Sequence, residues 1–228
     1  MIKRLYYILK QRLYIYKQKQ LSNQGKVYMF HEINNDSGVY SISKENFNTF
    51  IEYLINNKNI VDFETLTKNK NINNVVLTFD DVYESIYTEA FDILKSNNIP
   101  YYLFVCNEYL NKDKYLSDKQ IRSMLDESNA ILASHSYRHQ LSRFLNNDEF
   151  INYLNQSKKE LETKFNKVIN CFAFPFGSLY ACSNDNISEA AKIFDYVCMT
   201  YPLPYNESYR NIIPRININN GTFLREMK

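Results

Sequence analysis

Tryptophan is absent from this sequence of 228 residues, and glycine occurs only four times. So few glycines argue against a glycine-rich phosphate-binding loop, and neither a GxGxxG nor a GxxxxGK motif occurs. No uninterrupted apolar run reaches about 18 residues, so the sequence predicts no membrane-spanning helix. The formal net charge of +2 is too small to indicate a protein that binds nucleic acid.

The four cysteines, Cys106, Cys171, Cys182 and Cys198, form neither a CxxC pair nor the spacing of a zinc finger. Each lies in or near an apolar or turn segment, which predicts buried, reduced thiols. Near the amino terminus, no uninterrupted apolar core precedes a small-residue cleavage site, so no signal peptide is visible. We therefore expect a cytoplasmic protein.

Residues 1–25 precede the first predicted strand and are treated as a segment separate from the domain over residues 26–228. The first twenty residues carry basic side chains among leucine, isoleucine and tyrosine at mixed helical spacing. A basic amphipathic helix of this kind can lie on an anionic membrane surface, which would bring the protein to the inner membrane face. The alternative is a helix packed on the domain, or a tail.

From residue 26 onward, short apolar runs alternate with longer stretches at helical spacing. In the stretch SKENFNTFIEYLINNK, for example, Phe47, Phe50 and Leu54 share one helical face and Ser43 can cap the helix. The alternation repeats about seven times and predicts an α/β fold of parallel strands wrapped by helices, open or closed into a barrel. In such folds the chemistry collects at the carboxyl ends of the strands.

The predicted strand NVVLTFD ends at Asp80, and a second carboxylate, Asp81, follows it directly. The next stretch, VYESIYTEAFDILKSNN, predicts a helix. Two like charges side by side repel each other, and burying them adds a further cost. An aspartate at such a junction can simply cap the helix. Alternatively, a bound divalent cation lets one aspartate stay ionised beside the second, which is then free to accept a proton.

Two of the three histidines, His135 and His139, follow the predicted strand AILAS. At spacing i, i+4 on a helical turn, both imidazoles point the same way and can bind one metal ion, although an isolated HxxxH is weak evidence. With one aspartate they make a three-ligand site that leaves open positions for water.

Three motifs in this order, LTFDD (77–81), SHSYRH (134–139) and FAFPFG (172–177), resemble the first three motifs of the polysaccharide deacetylases. These enzymes form carbohydrate esterase family four, the NodB-like superfamily. The resemblance covers nearly all the chain after residue 25, and it implies the family's fold, an irregular (β/α)7-type barrel.

The resemblance also implies the chemistry of the site. Asp80 would be the general base, while Asp81, His135 and His139 would hold one divalent ion. Zinc fits best, with cobalt, nickel, manganese and iron as alternatives. The reaction would remove an N-acetyl group from an amino sugar or glycan precursor and release acetate.

In the third motif the residue after Pro175 usually donates its backbone N–H to the oxyanion, which would make Phe176 that donor. The resemblance places Phe174, Pro175 and Phe176 at the substrate. Removing one such donor typically costs about 10²–10³ in rate.

The sequence departs from the family at three positions. The usual small residue after the paired aspartates is Val82, which predicts a less tight turn. The arginine that often contacts the base is replaced by Ala173, and no histidine follows His139 to protonate the leaving amine. His31 is the one remaining candidate for the acid, in a pattern similar to the subgroup that acts on poly-N-acetylglucosamine-like glycans. Arg215 can supply the missing charge near Asp80, or it can be a surface salt-bridge partner.

Two other functions stay open: a catalytically silent, metal-containing glycan-binding protein, and a metal hydrolase of O-acetyl or other acyl groups on sugars. A cytoplasmic location would favour a nucleotide-, lipid- or oligosaccharide-linked precursor of a surface glycan as substrate. Neither nucleic acid nor a specific protein partner is implied.

Overall fold

The computed structural model describes most of the chain from residue 24 onward and a few residues before it. The described residues are Tyr6, Tyr7, Leu9, Lys10, Arg12, Leu13 and residues 24–36 and 38–228. The six amino-terminal ones are helical, but most of the predicted basic helix over residues 1–20 lies outside the described residues, and that prediction stays untested. Among the described helices, none is long and apolar enough to cross a membrane.

A mostly parallel sheet curves into a nearly closed barrel. The alternation of strands and helices predicted the parallel strands, and the resemblance to the family implied the barrel. Its order is β10-β9-β8-β7-β6-β5-β1-β11, with β4 beside β5, and β2 pairs separately with β3. The strands are β1 (Lys26–Phe30), β2 (Glu32–Ile33), β3 (Ser41–Ile42), β4 (Asn59–Ile60), β5 (Asn74–Asp80), β6 (Tyr101–Val105), β7 (Ala130–Ser134), β8 (Cys171–Ala173), β9 (Tyr196–Met199), β10 (Ile212–Pro214) and β11 (Ile216–Asn217).

One short segment near the carboxyl terminus joins the two edges of the sheet. Strand β10 pairs with β9 and, one residue later, β11 pairs with β1. Arg215 lies between these two strands. Because the same stretch of chain adds to both edges, it closes the barrel, and the Arg215 side chain is fully buried.

Helices cover the outside of the barrel. They are α1 (Lys44–Asn57), α2 (Phe63–Lys68), α3 (Phe91–Ser96), α4 (Asp118–Glu127), α5 (Asn147–Phe165), α6 (Asn184–Ile193) and α7 (Phe223–Glu226). The predicted cap of α1 is confirmed, because the Ser43 side chain accepts a hydrogen bond from the Asn46 N–H. The stretch after Asp81 differs from its prediction: it forms a turn and a π-helical segment, Ile86–Ala90, before α3 begins.

The core has two layers, because alternate residues of each strand face opposite sides of the sheet. On β6, Tyr102 and Phe104 face the barrel interior, whereas Tyr101 and Leu103 pack against the surrounding helices. The four cysteines are buried and free, as predicted.

Candidate active site

A tight turn at the carboxyl end of β5 carries the aspartate pair. Asp80 is the last residue of the strand, and Asp81 and Val82 follow in left-handed conformations with φ of 61° and 51°. Such conformations cost non-glycine residues on the order of 1–3 kcal/mol each and persist where the surrounding structure enforces them. Val82 is fully buried, so its packing holds the turn that presents both carboxylates to one cavity.

Asp81, His135 and His139 converge at the mouth of the barrel. One carboxylate oxygen of Asp81 lies 3.5 Å from Nε2 of His135 and 3.3 Å from Nε2 of His139. The possible ligand atoms of the three residues all lie within 4.8 Å of one another. The expected helical turn is wrong, because residues 135–139 form an irregular loop in which Ser136 has φ of 70°. The loop brings the two imidazoles together without a helix.

A backbone carbonyl orients His135. Nδ1 of the ring lies 2.9 Å from the carbonyl oxygen of Ala173, which can only accept a hydrogen bond. Nδ1 therefore carries the proton, and Nε2 presents its lone pair to the cavity. Nε2 of His135 and Oδ1 of Asp81 are both buried without a hydrogen-bond partner. Two unpartnered acceptor atoms facing each other are what a cation site requires, so the three residues fit a divalent metal ion.

The pKa values of this group agree with a cation site. Burial lowers the pKa of His135 to about 3 and also lowers that of His139, so both imidazoles are neutral at pH 7 and can act as ligands. Burial, with a further contribution from Asp80, raises the pKa of Asp81 to about 7. With a pKa of about 7, the Asp81 carboxyl group is partly protonated at neutral pH, and a bound cation would ionise it fully.

Arg215 forms a buried ion pair with Asp80. Its two terminal nitrogens lie 2.6 and 2.7 Å from the two carboxylate oxygens, and one also donates to Thr78 Oγ1 at 3.2 Å. Arg215 is fully buried, so it is not a surface residue. Burial raises the pKa of Asp80, but the charge of Arg215 and its hydrogen bonds outweigh burial and bring the pKa to about 2. Asp80 is therefore ionised and held in one orientation.

His31 directly follows β1 and lines the same cavity as Asp80 and Asp81. Its Nδ1 is buried and has no hydrogen-bond partner. Burial lowers the pKa of His31 to about 4, although Asp80 partly opposes this. The ring of Tyr40 packs against it with centroids 4.8 Å apart.

The third motif forms a turn after β8. Phe174 is 1% exposed and stacks on Phe150 in the core, and Pro175 is also buried. Neither residue lines the cavity, so the structure does not support their predicted role in binding a substrate, which stays a prediction. Phe176 has φ of 63°, is 49% exposed, and places its ring edge against His139 with centroids 4.6 Å apart.

A family model described as polysaccharide deacetylase matches residues 67–199, more than half of the chain. This chain belongs to the polysaccharide deacetylase family. The match spans the aspartate pair, the two histidines that are candidate metal ligands and Phe176. His31 and Arg215 lie outside the matched range.

Individual relatives of this deacetylase-family chain are distant in sequence. The curated Bacillus subtilis protein YxkH is 22% identical over 162 residues, which cover 66% of this chain and 56% of YxkH. Thus the chain spans little more than half the length of that relative.

Solved structures of similar proteins share the fold. IcaB from Ammonifex degensii has a TM-score of 0.78 at 18% identity, covering 91% of this chain and 97% of that one. The Streptococcus pyogenes deacetylase PplD has a TM-score of 0.77 at 18% identity. The match covers 90% of this chain and 98% of the PplD chain. At these identities the likeness establishes the fold, the irregular barrel expected for the family.

In this family member the site opens into a cavity of about 200 Å³, well above the roughly 30 Å³ share of one liquid water molecule. Five lining residues were not predicted from the sequence: Met29, Tyr40, Tyr83, Tyr109 and Thr200. Met29 and Thr200 lie at the carboxyl ends of β1 and β9. The rule that functional residues collect at these strand ends could have identified both. The three tyrosines come from loops, whose folded positions no spacing pattern gives.

Proposed function

We propose that this chain is a metal-dependent hydrolase that removes an N-acetyl group from an amino sugar of a glycan or glycan precursor and releases acetate. One observation carries the proposal: three metal-ligand side chains meet in a cavity beside Asp80, a second carboxylate that is ionised and not part of the ligand set. Membership of the polysaccharide deacetylase family supports the same function.

Asp81, His135 and His139 would hold the ion. Two imidazole nitrogens and one carboxylate oxygen suit zinc, and cobalt, nickel, manganese and iron accept the same donors. A divalent ion bound here would lower the pKa of a coordinated water towards about 7 and polarise the acetyl carbonyl.

Asp80 would accept the proton of the water that attacks the acetyl carbon. Each carboxylate oxygen has two lone pairs, so the two hydrogen bonds from Arg215 leave acceptor capacity on both oxygens. Arg215 fixes the carboxylate and keeps it ionised, and it is therefore a positioning residue. The backbone N–H of Phe176 would stabilise the oxyanion as it forms.

His31 would donate a proton to the nitrogen as the carbon–nitrogen bond breaks. An amine is a poor leaving group unless it is protonated, so an amidase needs an acid within reach of the amide nitrogen. Within the described part of the chain His31 is the only histidine that lines the cavity without belonging to the ligand set.

The low pKa of His31 favours a second candidate, an O-acetyl sugar esterase. An alkoxide leaving group needs less protonation than an amine, so an esterase would work with a neutral His31. The two candidates predict different results for His31→Gln. Deacetylation of an amide should fall by about 10²-fold or more, whereas hydrolysis of an O-acetyl ester should persist.

The experiment uses the purified protein loaded with zinc, N-acetylglucosamine oligomers and O-acetylated sugars, with acetate as the readout. We expect acetate from the N-acetylated oligomers and a loss of about 10²–10⁴-fold in Asp80→Asn. Binding of the oligomers without release of acetate, with each of the five metals, would instead indicate a glycan-binding protein.

We further propose that the enzyme acts in the cytoplasm on a glycan precursor and contacts the inner membrane face through residues 1–20. In the described part of this segment, Tyr6, Leu9 and Leu13 expose 59%, 55% and 57% of their surface, while the Tyr7 ring lies 4.3 Å from the Arg143 guanidinium. Flotation with anionic vesicles tests this. Loss of binding on deletion of residues 1–20 is expected, and absence of binding by the full chain would contradict it.

A further inference from the structure

One arginine binds the loop that begins three residues after Phe176. We name this loop the carbonyl loop (residues 179–182), because each of its four carbonyl oxygens accepts a hydrogen bond from Ser142 or Arg143. Three of them accept from the Arg143 guanidinium, at 2.6, 3.0 and 2.5 Å, those of Leu179, Tyr180 and Cys182. The fourth, that of Ala181, accepts from the Arg143 backbone N–H at 2.9 Å and from the Ser142 hydroxyl at 3.2 Å. One short segment of chain therefore holds the whole loop.

In the described part of the chain, the partners of the Arg143 guanidinium are backbone carbonyls and one tyrosine. Besides the three carbonyls, a terminal nitrogen donates to the Tyr7 hydroxyl at 3.1 Å, and the Tyr7 ring lies 4.3 Å from the guanidinium. Hydrogen bonds from a charged donor are stronger than those between neutral groups, and an arginine offers several donors in one fixed plane. The half-buried guanidinium therefore anchors the carbonyl loop, and its loss would free that loop.

The carbonyl loop supports the turn that carries Phe176. Two of the N–H groups of the loop donate to the Ser178 carbonyl, at 2.9 and 3.2 Å. The neighbouring Gly177 carbonyl accepts from the Thr200 N–H at 2.8 Å. Phe176 has φ of 63°, a conformation that a non-glycine residue keeps only where its surroundings enforce it. The direction of the Phe176 N–H therefore depends on the carbonyl loop as well as on Thr200.

The loop of the candidate metal ligands has a separate support. Asn107 and Glu108, which follow β6, donate their backbone N–H groups to two carbonyls of that loop, at 3.4 and 3.0 Å. These hydrogen bonds do not involve Arg143, although Arg143 follows His139 by only four residues. Removing the guanidinium should therefore loosen the turn of Phe176 and leave the three candidate ligands in place.

We propose that Arg143 is a positioning residue, which fixes the backbone N–H of Phe176 through the carbonyl loop. The inference rests on the proposed function, in which that N–H stabilises the oxyanion. Arg143 does not line the cavity and takes no part in the proton transfers. An oxyanion donor acts on the negative charge that develops in the transition state, so loosening the donor should lower kcat and leave KM nearly unchanged.

The test compares wild type, Arg143→Met and Arg143→Lys as zinc-loaded proteins acting on an N-acetylglucosamine tetramer. Arg143→Met should lower kcat by about 10–10²-fold and change KM by less than about twofold, because a loosened donor loses part of its usual contribution to the rate. Arg143→Lys keeps the charge, but an ammonium group cannot reproduce the planar set of donors that contacts three carbonyls. The lysine variant should therefore recover only part of the lost kcat.

Arg122→Met is the matched control. Arg122 lies on α4, donates to the Lys164 carbonyl and stands 5.2 Å from the Phe165 ring, but it does not line the cavity. This variant should keep the wild-type kcat. Equal kcat values for Arg143→Met and Arg122→Met would overturn the positioning role. A rise in KM that accounts for the whole loss of kcat/KM would overturn it too.

Two binding measurements separate the positioning role from a general loss of structure. Calorimetry should give Arg143→Met a zinc Kd within about twofold of the wild-type value, because the loop of the candidate ligands keeps its own support. The methylphosphonamidate of glucosamine, a tetrahedral analogue of the transition state, should bind Arg143→Met more weakly by the factor that is lost in kcat/KM. Loss of zinc binding in Arg143→Met would mean that Arg143 supports the ligands instead, which contradicts the inference.

The same measurements distinguish the failure of this inference from the failure of the proposed function. If wild type releases acetate and Arg143→Met binds the analogue as tightly as wild type, the positioning role is wrong and the proposed function stands. If wild type releases no acetate but binds the analogue more tightly than Arg143→Met does, the proposed function fails and the dependence of the Phe176 N–H on Arg143 stands.

Discussion

At the scale of single residues, the pair of Asp80 and Arg215 shows how a fold can replace a motif. The family's usual arginine position holds Ala173 on β8, while the guanidinium comes from the segment between β10 and β11. The sequence offered Arg215 as a candidate but left a surface position equally open. The choice depended on which strands are neighbours in the closed barrel, and spacing along the chain does not contain that information.

Replacing Arg215 by methionine should lower the free energy of unfolding by about 3–5 kcal/mol at neutral pH. The substitution keeps the buried volume similar but leaves the Asp80 carboxylate buried and unpaired. Urea unfolding measures the change. Arg225→Met, which breaks an ion pair whose arginine is 62% exposed, should change it by less than about 1 kcal/mol. Equal effects of the two substitutions would mean that the buried pair has no special importance.

The same comparison should depend on pH. The folded pKa of Asp80, about 2, lies below the value of about 3.9 for an unperturbed aspartate, so its ionised form stabilises the folded state above that unfolded value. This contribution is lost as the pH falls through the folded pKa. The stability difference between wild type and Arg215→Met should therefore shrink as the pH falls from neutrality. A difference that stays constant down to pH of about 3 would contradict the assignment.

At the scale of elements, regular structure was predictable and the functional loops were not. The periodic stretch of α1 and its cap at Ser43 follow from local spacing and side-chain chemistry, and the structure confirms them. The loop holding His135 and His139 is not helical, and the chain after Asp81 forms a turn and a π-helical segment. Both irregularities flank the candidate metal site, where the backbone adopts costly conformations that local propensity disfavours.

The turn that carries Phe176 depends on a close approach between β8 and β9. Gly177 has φ of 49°, and a Cβ on it would lie 2.4 Å from Thr200 Oγ1 and 2.7 Å from the Thr200 nitrogen. The Thr200 N–H also donates to the Gly177 carbonyl at 2.8 Å. Because the backbone of Thr200 cannot move aside, Gly177→Ala should displace the turn and the Phe176 N–H with it.

We expect kcat of Gly177→Ala to fall by about 10²-fold, the typical cost of losing one oxyanion donor, while zinc binding is retained. Steady-state kinetics and metal analysis measure the two quantities. Gly221→Ala is the control, since an added Cβ there meets only the side-chain oxygen of Asn219, at 3.3 Å. Full activity in Gly177→Ala would remove the turn from the mechanism.

At the scale of the whole molecule, the closed barrel brings together residues from both ends of the domain. His31 follows β1, the candidate metal ligands follow β5 and β7, and Arg215 belongs to the closing segment. The sequence predicted strands that end at a common edge, and this was enough to group the aspartates with the histidines. The alternation of strands and helices left open whether the sheet closes, and only the resemblance to the family implied the barrel. Closure is what places Arg215 against Asp80.

Metal binding should stabilise the whole molecule, because Asp81 and the two histidines tie the end of β5 to the end of β7. At a zinc concentration of about 100 times Kd the free energy of unfolding should rise by about 2.7 kcal/mol, which raises Tm by roughly 5–10 °C in a chain of this size. Differential scanning fluorimetry with and without a chelator measures the shift. Cobalt, nickel and manganese should give smaller Tm shifts than zinc.

Two substitutions decide whether the shift comes from this site. Asp81→Ala should abolish it, whereas Asp113→Ala, at an exposed position outside the cavity, should keep it. Burial and the charge of Asp80 raise the pKa of Asp81, so the metal-free protein gains little from this carboxylate. Metal-free Asp81→Ala should therefore unfold at or above the Tm of the metal-free wild type. An equal zinc shift in Asp81→Ala would place the bound ion elsewhere, and the hydrolytic mechanism would lose its metal.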